Sequence, residues 1–204
     1  MLQETFKQLL LTYTNSEKLC NDYWNEIEKH YSANKRYYHN FLHLENMLQQ
    51  LLSCKEQISD WDTMLFALYY HDIIYNPTRK DNEERSAMTA AKRLSAIKYL
   101  PAKIALCSQH ILATKSHTLS KNSDTNFFTD ADLSILGAAN ETYFIYTKQI
   151  RKEYSIYPDF MYKPGRRKVL QLFLEMERIY KTDHFFNKYE QQAKENISDE
   201  LKAL

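Results

Sequence analysis

Two glycines in 204 residues, Gly137 and Gly165, set the first limit on this chain. Glycine supplies the positive φ values and close backbone approach that tight turns and phosphate-cradling loops require. A P-loop, a dinucleotide-binding turn and a nucleophile elbow each need at least two well-placed glycines. Gly137 and Gly165 lie too far apart in sequence for any of them. Only 4 prolines accompany them, so a turn-rich fold is nearly excluded as well.

The apolar residues recur with helical spacing almost throughout. Helices are expected over residues 3–12 and 16–31, with Asn15–Ser16 capping the second and Ser32–Ala33–Asn34 ending it. A third runs from about Phe41 to Cys54, with Phe41, Leu44, Met47, Leu48 and Leu51 on one stripe. The next, about Asp60 to Asp72, is apolar nearly all round from Met64 to Tyr70, the mark of a central, buried helix. Ile73 to Lys80 reads as a loop set by Asn76–Pro77, and Asp81–Asn82–Glu83–Glu84 as a capped, acid-rich helix start. Pro101 opens a helix through Ile111, residues 116–127 read as loop, and Thr129–Asp130 as the cap of a helix through Leu136. Further helices are expected at about 140–154, 164–180 and 183–203. The sequence predicts one all-α helical bundle over residues 1–204: N-terminal helices (1–35), a core (36–137) and C-terminal helices (138–204).

The charge balance is 27 basic against 26 acidic residues, a net +1, which gives no global attraction to nucleic acid or to anionic membrane. The Met64–Tyr70 run is far short of the roughly 20 residues of a membrane span. Met1–Lys7 carries an early acid and does not read as a signal peptide. Cys20, Cys54 and Cys107 are odd in number and form no C-x-x-C pair; reduced core thiols and a cytoplasmic location are expected. Without a basic surface, the 16 tyrosines read as amphipathic core edge rather than base-stacking platforms.

Chemistry concentrates in three places. His71–Asp72 follows seven apolar residues, and an aspartate at the edge of an apolar core needs a compensating partner. It also reads as a turn cap beside a core histidine. His39 and His43 are four apart, the spacing of one helix face. Asp130 and Asp132 are two apart, so on a helix they point roughly 200° from each other. Asp130 suits a cap, while Asp132, embedded in apolar sequence, needs a charge partner. His43, His71, Asp72 and Asp132 together form a mixed nitrogen and oxygen donor set on three helices. Helical bundles build divalent-metal sites from such inward-facing side chains.

The order His … His-Asp … Asp resembles the HD superfamily of metal-dependent phosphohydrolases. Tyr38–His39–Asn40–x–x–His43 is similar to the H-N-x-x-H element of the related cyclic-nucleotide phosphodiesterases. Small stand-alone proteins known as predicted metal-dependent HD phosphohydrolases share more. They carry His-Asp-Ile-x-Tyr (His71 to Tyr75), Asp-Asn-Glu-Glu-x-Ser-Ala (Asp81 to Ala87) and Ala-Thr-Lys-x-His (Ala113 to His117). Asp-Ala-Asp-Leu-x-Ile-Leu-Gly (Asp130 to Gly137), Ile-Arg-x-Glu-Tyr (Ile150 to Tyr154) and Gly-Arg-x-x-Val-Leu (Gly165 to Leu170) follow. The resemblance covers roughly residues 36–200. It implies hydrolysis of a phosphoester on a nucleotide or other small phosphorylated metabolite.

The resemblance further implies a divalent ion (manganese, iron, cobalt, nickel, zinc or magnesium; one or two per chain) on His43, His71, Asp72 and Asp132. Asp72 would also orient the attacking water, and His39 would protonate the leaving group. Lys115, Arg36 and Arg79 are expected to offset phosphoryl charge. Glu83 and Glu84 read either as a solvated helix start or as the acids that orient the water. Arg166, in the basic knot around Pro164–Gly165, reads either as solvated surface or as a lid meeting phosphates. His117 suits a phosphate or leaving-group contact; with His110 it could instead hold a second metal. The alternatives are a di-iron oxygenase, needing six protein ligands, and a non-catalytic metal- or nucleotide-binding regulatory module.

Overall fold

A computed structural model describes residues 1–204. The chain is all-α. Its helices are α1 (Leu2–Leu11), α2 (Glu17–Tyr31), α3 (Phe41–Ser53), α4 (Trp61–Tyr70), α5 (Asn82–Ala96), α6 (Pro101–Ala113), α7 (Ser123–Leu133), α8 (Asn140–Glu153), α9 (Asp159–Glu175) and α10 (Asp183–Ala203). Short 3₁₀ turns follow α3 (Lys55–Gln57) and α7 (Ser134–Gly137). One continuous cluster of 44 buried apolar residues draws on all ten helices.

Local sequence sets most helix starts. The Ser16 hydroxyl accepts from the Leu19 amide at 3.2 Å, and the Asn40 side chain from the Leu42 amide at 2.9 Å. The Asp60 carboxylate caps α4 through Thr63, and Pro101 opens α6, where a missing N–H costs nothing. Every residue of α4 from Thr63 to Tyr70 is buried. α4 is the central helix, touching α1, α3, α5, α6 and α7. Full burial of Met64, Leu65, Phe66 and Leu68 contributes about 1.5–3 kcal/mol each. The chain leaves α4 directly into His71–Asp72, so the core fixes where those two side chains stand.

Five local expectations are corrected. α7 begins at Ser123, within the expected loop, because the Asn122 side chain accepts from the Thr125 amide at 2.9 Å. Asp130 therefore lies inside α7; it is fully buried and accepts from the Lys181 and Thr182 amides at 2.9 and 2.7 Å, fastening the approach to α10. α9 starts at Asp159 after Pro158, and Pro164 lies in its interior rather than at its start. Asp81 precedes α5 without capping it, since its carboxylate is taken by Arg79. Last, α3 begins only at Phe41, so His39 lies in the turn before the helix rather than on a face shared with His43.

Candidate metal centre

Three junctions converge on one point: the first turn of α3, the end of α4 and the end of α7. His43 comes from α3, His71 and Asp72 leave α4, and Asp132 stands next to last in α7. The Nε2 atoms of His43 and His71 are 3.1 Å apart. Asp132 Oδ1 lies 3.3 Å from the first and 3.9 Å from the second. Asp72 Oδ2 lies 3.2 Å from His71 Nε2 and 3.8 Å from His43 Nε2. His43 and His71 are buried, while Asp72 and Asp132 are partly open, their side chains 17 % and 16 % exposed.

His43, His71 and Asp132 fit a divalent ion, and Asp72 stands beside them. Two donors each about 2.1 Å from one ion can be no more than about 4.2 Å apart. Each separation above lies within that bound. His71 Nδ1–H donates to the Leu68 carbonyl at 2.9 Å, which leaves the Nε2 lone pair facing the cluster. Each of the four residues has its ion-pair contacts with the others or with neighbouring histidines; no lysine or arginine neutralises the carboxylates. His43, His71 and Asp132 thus form a group that could hold a metal ion. The electrostatics agree. Burial pulls the His71 imidazole down, but Asp72 outweighs it and raises the pKa to about 9. Burial pushes Asp132 up, yet the bonds from His117 and His43 hold it well below the ordinary carboxylate value. The site favours positive charge between its two acids.

Around the donors stands a layer of supporting bonds. Glu153, buried at the end of α8, accepts from the Tyr38 amide (2.8 Å), the His39 amide (3.0 Å), His39 Nδ1–H (2.6 Å) and the Tyr75 hydroxyl (2.8 Å). The His39 ring also stacks on Tyr75, with centroids 4.2 Å apart. Its Nε2 is then turned toward Asp72, at 4.0 Å. Burial lowers the His39 pKa, but Asp72 and the Glu153 bond outweigh it and hold it above the usual value. The spacing of polar residues on α8 gave no sign of this role for Glu153. Its burial comes from tertiary packing.

Arg36 is spent on backbone. Its guanidinium donates to the carbonyls of His39 (3.1 Å), Asp72 (2.6 Å) and Ile73 (2.9 Å), tying the two histidine-bearing turns together. His117 Nε2 lies 3.0 Å from Asp132 Oδ2 and so orients that carboxylate. It does so from a left-handed backbone position, φ 51°, an uncommon conformation for a residue with a side chain.

The other expected residues stand apart. Lys115 pairs with Glu84 and donates to the Lys80 carbonyl, and Arg79 pairs with Asp81, all at the surface. Glu83 is half-buried in the first turn of α5. Arg166 is largely covered, its Nε and Nη2 donating to Glu200 at 2.8 and 2.9 Å, so it is not part of a solvated basic surface. His110 is fully buried, bonded to Thr125 and stacked on Phe128, whose ring also meets the His71 ring at 5.8 Å. Phe128 thus lies between His110 and the cluster, and the second-metal pairing of His110 with His117 does not form.

A cavity of about 520 Å³ opens beside the donors, with His39, His117 and Asp132 on its wall. Its far side is built from α8, α9 and the turn between them. Comparison with family models, with curated proteins and with solved structures returns no match. No helix is long and apolar enough to cross a membrane, and all three cysteines are free and buried.

Proposed function

We propose that this chain is a metal-dependent phosphoester hydrolase of the HD type, acting on a nucleotide or other small phosphorylated metabolite. One observation carries the reading. The His43 and His71 Nε2 atoms and the Asp132 carboxylate meet within 4.8 Å of one another at the edge of a cavity. His43, His71, Asp132 and Asp72 would hold the ion, and a donor set without thiolate suits manganese, iron, cobalt, nickel, zinc or magnesium. Bound there, a divalent ion polarises a phosphoryl oxygen and lowers the pKa of a water toward neutrality.

The remaining work falls to the chain. His117 fixes the rotation of Asp132, and the Leu68 carbonyl fixes the tautomer of His71. Asp72 stands 3.2 Å from His71 Nε2 and 4.0 Å from His39 Nε2, and would orient the attacking water. His39, held through Nδ1 by Glu153, presents Nε2 as the donor that protonates the departing oxygen. Arg36 holds the turns of His39 and Asp72 in register and contributes through them.

The test loads the purified protein with each of the six metals, counts ions by elemental analysis and assays a panel of phosphoesters. One ion per chain and turnover are expected, with both lost in His71→Ala and turnover reduced at least about 100-fold in Asp72→Ala. Turnover that survives both substitutions would overturn the reading. So would metal binding without cleavage of any ester, which would make this a binding module.

A further inference from the structure

We infer that the ester taken by this site carries a single phosphate on an uncharged alcohol with an aromatic or apolar body, and that this body fills the cavity between α8 and α9. The inference rests on the hydrolytic reading above and names its substrate class.

The cavity is continuous with the site. His39, which would protonate the departing oxygen, is part of its wall, so the alcohol released by that proton transfer leaves into this space. At about 520 Å³ it has the size of a small-molecule pocket. Its wall is 12 hydrophobic residues of 18, and the far side is largely aromatic: Tyr146, Tyr154, Tyr157, Tyr162 and Phe173. Such a surface gains most from a flat, apolar ring.

Charge decides the number of phosphates. Arg166 is the only lysine or arginine on the wall. Its guanidinium is committed to the two carboxylate oxygens of Glu200 and to the Tyr146 hydroxyl at 3.3 Å, and it lies over the Tyr146 ring. A second or third phosphate in the cavity would meet no free cation, and an unpaired buried charge is strongly disfavoured. Outside the cavity, Lys115 and Arg79 are held by Glu84 and Asp81. One phosphate at the metal centre is what the arrangement accommodates.

The experiment uses two matched pairs. 2-(2-Naphthyl)ethyl phosphate and ethyl phosphate release alcohols of similar basicity, so their rate difference reads the cavity rather than the leaving group. Adenosine monophosphate and triphosphate share the nucleoside and differ by two further charged phosphoryl groups, and release of the free nucleoside is followed for both. Binding of free 2-(2-naphthyl)ethanol to the metal-free protein, followed by its fluorescence, gives a readout independent of turnover. Two variants narrow the cavity without touching the donors or His39. Gly165→Leu acts where a side chain would meet nothing within 4 Å, and Val169→Trp acts one turn further along α9.

A kcat/KM at least about 30-fold higher for the naphthyl ester than for ethyl phosphate is expected, with the monophosphate favoured over the triphosphate. Each variant should weaken naphthylethanol binding at least about tenfold and lower kcat/KM for the naphthyl ester at least about tenfold more than for ethyl phosphate. Equal rates for the two alkyl esters, preference for the triphosphate, or binding indifferent to both variants would overturn the inference while leaving hydrolysis in place. Binding that the variants abolish, with no ester cleaved, would instead locate the fault in the hydrolytic reading.

Discussion

His39 Nδ1 lies 2.6 Å from Glu153 Oε2, across 114 residues of sequence, and that carboxylate also receives the backbone amides of Tyr38 and His39. Glu153 therefore fixes both the place of the turn and the direction of the ring it carries. Two substitutions separate these duties. Glu153→Ala leaves two part-buried amides without acceptors and should destabilise the fold by about 2–4 kcal/mol. Glu153→Gln keeps an oxygen for the amides, but its NH₂ faces His39 Nδ1 and Tyr75 and demands the other tautomer. It should unfold within about 1–2 kcal/mol of wild type, with kcat reduced at least about tenfold and KM and metal content unchanged. Urea unfolding, elemental analysis and steady-state kinetics on the two variants check this. A Gln variant with unaltered kcat would leave Glu153 a purely structural residue.

His117 occupies left-handed backbone at φ 51° while its ring holds Asp132. Asparagine tolerates that conformation far better than a β-branched residue does. Both His117→Asn and His117→Val remove the imidazole, so both should lose metal-dependent turnover to a similar extent. Their stabilities should differ, the valine variant being weaker by about 1–3 kcal/mol. Thermal unfolding of the pair isolates the backbone contribution. Equal melting temperatures would show that the segment relaxes out of the left-handed region without cost.

The aspartate pair shows what the sequence makes legible here. Residues two apart on a helix must diverge, and Asp130 reaches the Lys181 and Thr182 amides while Asp132 reaches His43. Asp132 reads correctly because its helical phase and apolar neighbours carry the information locally. The four-residue spacing predicts a helix face shared by His39 and His43, but His39 precedes α3; the two meet because Asn40 caps α3 and Glu153 pulls the preceding turn inward. Polar residues mislead where tertiary contacts absorb them. Asn122 to Asn126 reads as loop, yet Asp124 accepts the Ser59 and Asp60 amides and Asn126 bonds the Ser120 backbone, which holds this stretch in place as the first turn of α7. The cations expected at the phosphate are misread for the same reason. Nothing local reveals that Arg36 faces three carbonyls or that Arg166 faces Glu200.

Among the histidines whose protonation the fold opposes, His110 is the one fully buried. It is fully buried, its Nε2 has no partner, and burial pulls its pKa from 6.5 down to about 4. Above pH 6.5 the folded and unfolded chains both keep it neutral, and it contributes no pH dependence. Below that, the unfolded chain binds a proton that the folded chain refuses until about pH 4, so stability falls as pH drops through this window. The loss is about 3 kcal/mol across the window, at roughly 1.4 kcal/mol per unit. Other groups also titrate there, so the measurement is the difference between wild type and His110→Asn in urea unfolding. That difference should shift against wild type between pH 6.5 and 4 and level off below. A difference constant across this range would show that His110 takes up its proton in the folded state.

The two glycines that limit the fold should respond to alanine with opposite signs. At Gly137 a Cβ would lie 2.6 Å from the Tyr189 Cβ and 2.7 Å from the Tyr189 carbonyl oxygen, so the turn after α7 meets α10 where no side chain fits. Backbone cannot move aside as a flexible side chain tip can. Gly137→Ala should therefore cost about 1–3 kcal/mol, as overpacking does. For a chain of this size that lowers Tm by about 2–4 °C per kcal/mol. Gly165 sits inside α9 with nothing within 4 Å of the added carbon. There alanine only restricts the unfolded chain and favours the helix, so Gly165→Ala should stabilise by about 0.4–1 kcal/mol. Calorimetric melting of the two variants checks the signs. A neutral Gly137→Ala would show that α10 can retreat from the turn, and the fastening of α10 through Asp130 and Thr182 would then be looser than the hydrogen bonds imply.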